Sequence, residues 1–184
     1  EAMPRGLDVA FLAIDEVPLG SASIGQVHRA TTRDGDPVII KVVKPGIPAI
    51  LHRDAKLLAL AGWTLELVFP QYGPRRIIRE FADYTLREVD LRREADNAET
   101  FAANFRDMPD VVFPKIFREF SGRDVLCMEF LDGYKPTAAA TEELSEEQRA
   151  HLLDLGAASI IRMLYRDGFF HADMHPGNLF VDDA

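Results

Sequence analysis

The tetrapeptide Arg33-Asp34-Gly35-Asp36 constrains this chain more than any other short stretch. Apolar, β-prone residues flank it, Gln26 to Thr32 before and Val38 to Val43 after. Asp-Gly between two such runs is a strong hairpin signal, because glycine accepts the positive φ of a tight antiparallel turn. Residues 18–44 therefore read as β structure. The period then changes. Residues 47–69 form a helix with Ile50, Leu57, Leu58, Ala61, Leu65 and Val68 at helical spacing, ended by Pro70 and Gly73-Pro74. Residues 75–105 form a longer helix, with Phe81, Tyr84, Glu88, Leu91, Ala95, Ala98, Ala102 and Phe105 on one stripe. Two strands, 115–120 and 124–131, surround Ser121-Gly122-Arg123, and Gly133 to Thr137 reads as a linker. Ser145 with Gln148 is a capping box. It opens a helix to about Arg166, with Leu153, Ala157, Ile160 and Leu164 facing inward, and Gly168 stops it. Phe169 to Val181 is a loop flanked by short apolar runs. This order predicts a small mixed lobe followed by the start of a helical lobe.

A chain of 184 residues has room for one large domain or two small lobes. With 21 Lys+Arg against 30 Asp+Glu, its net charge of −9 argues against a nucleic-acid partner. Apolar residues at 47% and charged residues at 28% suit a soluble globular chain, so a cytoplasmic location is expected. Cys127 is the single cysteine, which rules out an internal disulfide and makes it a small core residue. Leu57 to Phe69 is too short to span a bilayer and contains Glu66. Glu1 to Asp15 has no basic region of the kind that opens a signal peptide. The chain reads as a piece of something longer.

Four segments carry chemistry. Leu19-Gly20-Ser21-Ala22-Ser23-Ile24-Gly25-Gln26-Val27 is a turn of small residues, where backbone N–H groups can approach an anion and Ser21 and Ser23 add hydroxyls; a plain strand-to-strand loop is the alternative. Lys41 lies inside an apolar strand, on the face of Ile39 and Val43, and a lysine there is rarely buried without a phosphate or carboxylate partner. An edge-strand role suits Lys44, at the strand end, better than Lys41. Glu88 and Glu94 could each turn inward to meet Lys41, and periodicity slightly favours Glu88. Finally, His171-Ala172-Asp173-Met174-His175-Pro176-Gly177-Asn178 has the spacing H-x-D-x-x-x-x-N, in which the aspartate can accept a hydroxyl proton and the asparagine can hold magnesium. A transition-metal set of His171, Asp173 and His175 competes with that reading.

Together these segments resemble the UbiB/AarF family of atypical, protein-kinase-like proteins. Gly20 to His28 resembles its alanine-rich loop, Val38 to Gly46 its lysine strand, Glu88-Val89-Asp90 followed by Glu94 its E-x-D signature and helix glutamate, and His171 to Asn178 its catalytic loop. The resemblance covers about residues 11–184. It implies an α+β, protein-kinase-like two-lobed fold, truncated in the C-terminal lobe. Residues 1–128 would form the N-terminal lobe, 129–137 the hinge, and 138–184 the start of the helical lobe. By the same resemblance Mg-ATP lies between the lobes: Lys41 holds the α- and β-phosphates and pairs with Glu94, Glu129 and Leu131 offer backbone groups to adenine, Asp173 is the catalytic aspartate, and Asn178 ligates magnesium. Glu88 and Asp90 would serve an inhibitory upstream segment. The implied setting is ubiquinone or other isoprenoid-lipid metabolism, with peripheral membrane or isoprenoid lipid contact. The residues name no phosphate acceptor.

Three departures stand out. The family's K-x-G-Q segment would precede residue 1, the D-F-G aspartate would follow residue 184, and Gly20 stands where alanine is usual. Without that second magnesium ligand and most of the helical lobe, residues 1–184 alone are expected to be inactive, with apolar faces of the 145–166 helix uncovered. Two other readings are a small-molecule phosphotransferase of the aminoglycoside or choline kinase type, and a nucleotide-sensing module without turnover.

Overall fold

The computed structural model describes residues 10–137 and 144–182. The expectations for residues 1–9, for 138–143 at the start of the helical region, and for 183–184 lie outside the described residues. The chain divides into two compact units, Glu1–Asn97 with Lys115–Glu129, and Ala98–Pro114 with Phe130–Ala184.

The first unit holds five antiparallel strands: β1 (Phe11–Ile14), β2 (Gly20–Ser21), β3 (Gly25–Thr32), β4 (Pro37–Val43) and β5 (Val125–Glu129). The sheet order is β1-β3-β4-β5, with β2 pairing the start of β3. The hairpin stands as read. Gly35 takes φ 93, the Thr32 N–H donates to the Asp36 carbonyl at 2.9 Å, and the Asp36 N–H donates to Thr32 Oγ1. β1 was not expected, since four residues leave no legible alternation. Pleating sends Val38 and Ile40 into a core with Phe11, Ala30, Phe117, Phe120, Val125 and Cys127. Ile39, Lys41 and Val43 take the opposite face.

The expected strand 115–120 is corrected. Only Ile116 bridges to β5, at Met128, and Arg118–Phe120 is a 3-10 turn. Phe117 and Phe120 both enter the same core, and residues three apart share a side only in a helical turn. Ser121 closes that turn: its hydroxyl donates to the Phe117 carbonyl and accepts from the Cys127 N–H.

Two helices follow the hairpin, α1 (Ile47–Val68) and α2 (Pro74–Glu88), and α3 (Leu91–Asn104) comes next. The apolar residues at helical spacing on α1 are exposed at Ile50, Leu57, Leu58, Leu65 and Val68. α1 instead buries Gly62, where an added Cβ would lie 3.3 Å from the Arg75 Cα and from Ile78 of α2. The single helix expected over 75–105 is two helices, and Phe81 and Tyr84 are exposed. The break at Val89-Asp90 has a packing cause. Val89 and Leu91 are both buried, whereas residues two apart on one helix point about 200° apart. Asp90 caps the new helix, accepting from the Arg92 N–H at 3.2 Å.

In the second unit Phe101, Phe105 and Met163 form a core with Phe113, Phe169 and Met174 against it. α4 (Glu146–Ile161) opens on the expected capping box: Ser145 Oγ accepts from the Gln148 N–H at 3.1 Å and Gln148 Oε1 accepts from the Ser145 N–H at 2.9 Å. A π-helical turn, Arg162–Asp167, continues it until Gly168 stops it at φ 60. The inward set is corrected. Leu153 is 74% exposed, Ala157, Ile160 and Leu164 are also exposed, and Ser159, Arg162 and Met163 are buried instead. Met163 and Arg162 meet the end of α3 and its following loop, and those contacts set the rotation of the helix. No helix among the described residues is long and apolar enough to cross a membrane.

Candidate functional site

In the first unit, β4 is a central strand, and Lys41 is paired with Val27 on one side and Leu126 on the other. Its ammonium donates to Glu94 Oε2 at 2.6 Å, with the two side chains 31% and 43% exposed. Glu94 stands in the first turn of α3. The structure therefore brings together Lys41 and Glu94, and the periodicity preference for Glu88 is corrected. The break at Asp90 resets the helical phase, so Glu88 ends α2, exposed. There its carboxylate pushes the Tyr84 phenol pKa up, by its charge and by a hydrogen bond. Asp90 accepts from Arg92 Nε at 2.8 Å and Nη2 at 2.6 Å, and this fork holds its carboxyl below the usual carboxylate range. The E-x-D residues thus occupy the α2–α3 junction, and Asp90 caps the helix that carries Glu94.

The small-residue loop is a tight connection between β2 and β3. Leu19 N–H donates to the Val27 carbonyl at 2.8 Å, Gly20 pairs with Val27, Ser21 with Gln26, and Ala22 N–H donates to the Gly25 carbonyl at 2.9 Å. Ser21, Ala22 and Ser23 are exposed, Ile24 half-buried. A Cβ on Gly25 would lie 2.9 Å from the Val42 carbonyl oxygen, so the β-carbon is excluded by backbone; at Gly20 the space is open. Lys44, read as a strand-end lysine, pins this turn. Its Nζ donates to the Ala22 carbonyl at 2.6 Å and its N–H to the Ile24 carbonyl at 2.9 Å. A lysine three residues past Lys41 gave only a weak hint of that role.

At the end of β5 the Glu129 N–H donates to the Lys115 carbonyl at 2.8 Å and its carboxylate accepts from the Lys115 N–H. Leu131 lies two residues on, half-buried.

In the second unit the loop 171–178 is held by its own side chains. Asn178 Nδ2 donates to the Asp173 carbonyl at 3.0 Å and to Asp173 Oδ2 at 3.1 Å. His175 Nε2 stands 3.6 Å from the same oxygen. Its Nδ1 accepts from the Gly177 N–H at 3.0 Å, which in the neutral ring leaves the proton on Nε2, towards Asp173. A Cβ on Gly177 would come 2.5 Å from the His175 ring. His171 Nδ1 accepts from the Asp173 N–H at 3.2 Å, and its ring lies 6.1 Å from Phe101. The structure thus joins Asp173 and Asn178, and the Asp173 side chain is 78% exposed. Among the described residues no three His, Cys, Asp or Glu side chains converge on a metal position, so the transition-metal set is not assembled. The amide oxygen of Asn178 is instead a hard donor of the kind magnesium takes. A mostly apolar cavity of about 230 Å³ is lined by Ile160, Met163, Leu164, Phe170 and Met174, and by His171 and Ala172 of the loop. It is smaller than ordinary cofactor pockets.

Comparison with known proteins adds the lineage. A family model, the ABC1 atypical kinase-like domain, matches residues 1–184. The chain is 37% identical over 184 residues to proteins named probable protein kinase UbiB from Yersinia pestis (strain Pestoides F) and Yersinia pseudotuberculosis (serotype O:1b), covering 98% of this chain and 34% of each relative. It therefore spans about a third of the length of these curated relatives. Among solved structures, the Rv3197–erythromycin complex from Mycobacterium tuberculosis matches with a TM-score of 0.73 and 32% identity, over 92% of this chain and 43% of that one. The lysine strand, its helix glutamate and the aspartate loop thus sit in a kinase-like α+β fold, and the chain belongs to the ABC1 atypical kinase-like family.

Proposed function

We propose that the protein containing this chain binds Mg-ATP and transfers or hydrolyses its γ-phosphate. The observation that carries the reading is the Lys41–Glu94 ion pair, formed across 53 residues of sequence from inside an apolar strand. A glutamate beside an ammonium fixes where its donors point, and a fixed cation suits the α- and β-phosphates of ATP. The exposed tip of the 19–27 loop, Ser21 to Ser23, held by Lys44, would offer hydroxyl and backbone donors to phosphate, and the carbonyl of Glu129 and the main chain of Leu131 would receive adenine. Asp173 would orient the attacking hydroxyl or water and accept its proton. Asn178 would supply an oxygen to magnesium, which when bound neutralises developing phosphate charge. Positioning and charge stabilisation would give most of the acceleration. The family relationship supports a place in ubiquinone or other isoprenoid-lipid metabolism, with a peripheral membrane or isoprenoid lipid contact.

The test is ATP turnover by a protein carrying the complete kinase-like domain, with and without Asp173→Asn. A fall of roughly 100-fold or more is expected. Equal, background-level rates would favour a nucleotide-sensing module. A second reading, a small-molecule phosphotransferase, is favoured by the His175–Asp173 approach and by the erythromycin bound in the M. tuberculosis relative. Phosphorylation of an aminoglycoside, choline or a macrolide by the complete domain would reverse the ranking.

A further inference from the structure

The second unit holds a charge cluster that the proposed reaction does not use. Arg162, in the π-helical turn, has a side chain only 8% exposed. Its guanidinium donates to the carbonyl of Asn104, the last residue of α3, and to the Asp107 carboxylate. It also lies over the Phe105 ring, 4.9 Å from the centroid. Arg166 Nη1 donates to the other Asp107 oxygen at 2.9 Å. Asp167 Oδ2 lies 3.5 Å from Arg162 Nε, and both atoms are buried without a hydrogen bond. The two arginines hold the Asp107 carboxyl well below the usual carboxylate range.

Burying an arginine this way is not the cheapest means of stabilising a helix contact. A well-packed apolar side chain of similar volume does as well or better, because the ion must leave water. What the guanidinium adds is direction, since its planar fork accepts partners only along fixed lines. Those lines here run to the end of α3, to the loop after it and to Asp167. Phe169 follows at once, its N–H donating to the Met163 carbonyl at 3.1 Å and its ring 4.6 Å from Phe101. The chain entering the loop is therefore anchored twice to residues 101–107 just before His171.

We propose that Arg162 is a positioning residue, which together with Asp107 and Arg166 sets the direction in which loop 169–178 presents Asp173. This rests on the reading of Asp173 given above, and the experiment separates the two. Asp107 is 58% exposed, so Asp107→Asn removes the anion without opening the core. In the complete kinase-like domain, amide exchange, thermal melting, nucleotide affinity and turnover are measured for Asp107→Asn, Asp107→Glu, Arg162→Lys and Asp173→Asn. Asp107→Asn and Arg162→Lys should speed exchange across 169–178 about tenfold while the sheet amides keep the parent rates. Turnover should fall about tenfold to 100-fold at unchanged nucleotide affinity. Asp107→Glu should restore both. Parent-like loop exchange in Asp107→Asn overturns the proposal, and so does faster exchange spread evenly over the second unit, which would mark a purely structural cluster. Loosened exchange with parent turnover, while Asp173→Asn abolishes turnover, overturns it too. If Asp173→Asn leaves turnover intact, the reading of Asp173 fails and loop exchange alone decides whether Arg162 positions the loop.

Discussion

Replacing Glu94 by Gln separates what the Lys41 ion pair does for stability from what it does for chemistry. The pair is short, 2.6 Å, but the side chains remain 31% and 43% exposed, so water screens the charges. Pairs of that exposure contribute about 0.2–1 kcal/mol. In a chain of this size 1 kcal/mol moves the melting temperature by about 2–4 °C, so Glu94→Gln should melt within about 4 °C of the parent. The functional effect should be far larger. Without its carboxylate the Lys41 ammonium is free to swing among rotamers, and in the phosphate-holding role proposed for it, losing that alignment should cost about 100-fold in rate. The assays are ATP turnover and thermal melting of the complete kinase-like domain, with Glu88→Gln as the control. Glu88 is exposed and linked to Tyr84, so its variant should melt like the parent and should not lose turnover. A melting shift beyond about 10 °C at parent turnover would make the pair structural, against the screening argument. Loss of turnover in Glu88→Gln but not in Glu94→Gln would refute the assignment of Glu94.

Other expectations are narrower. Gly25→Ala places a Cβ 2.9 Å from the Val42 carbonyl and should destabilise by about 1–3 kcal/mol in denaturant melts, whereas Gly20→Ala, in open space, should be neutral. Gly20→Ala also tests whether that glycine loosens the small-residue loop: unchanged nucleotide affinity and phosphate release would reject the idea. Burial pushes the Cys127 thiol up to about 12 from 9.0, so native protein at pH 8 should resist alkylation and unfolded protein should not. The unfolded thiol ionises first, so this contribution is present below pH 9.0 and is lost as pH rises towards about 12, readable as falling alkaline stability. Asp90→Ala removes the cap of α3 and should cost about 1 kcal/mol, with faster amide exchange through the first turn, where Glu94 stands. Unchanged exchange there would show that Leu91 packing alone holds that end.

What the sequence by itself determined was local chemistry. Asp34-Gly35 set the hairpin because only a few residue types accept its φ. Ser145 and Gln148 opened α4 and Gly168 closed it because orphan backbone groups at helix ends need such partners. Pleat alternation placed Lys41 opposite the core, and the spacing from His171 to Asn178 brought Asp173 and Asn178 within hydrogen-bond reach. Tertiary structure decided everything that required distant segments to compete for burial. Val89 and Leu91 both had to be buried, so one periodic helix became two, and that reset of phase chose Glu94 over Glu88. Phe117 and Phe120 had to share one core, so an extended run curled into a turn. Arg162 found Asn104 and Asp107 some 55–58 residues earlier, so α4 turned Leu153 and Leu164 to solvent. Periodicity tells which residues of one helix share a face; it carries no information about which face the rest of the chain will cover, because that depends on partners far away in sequence.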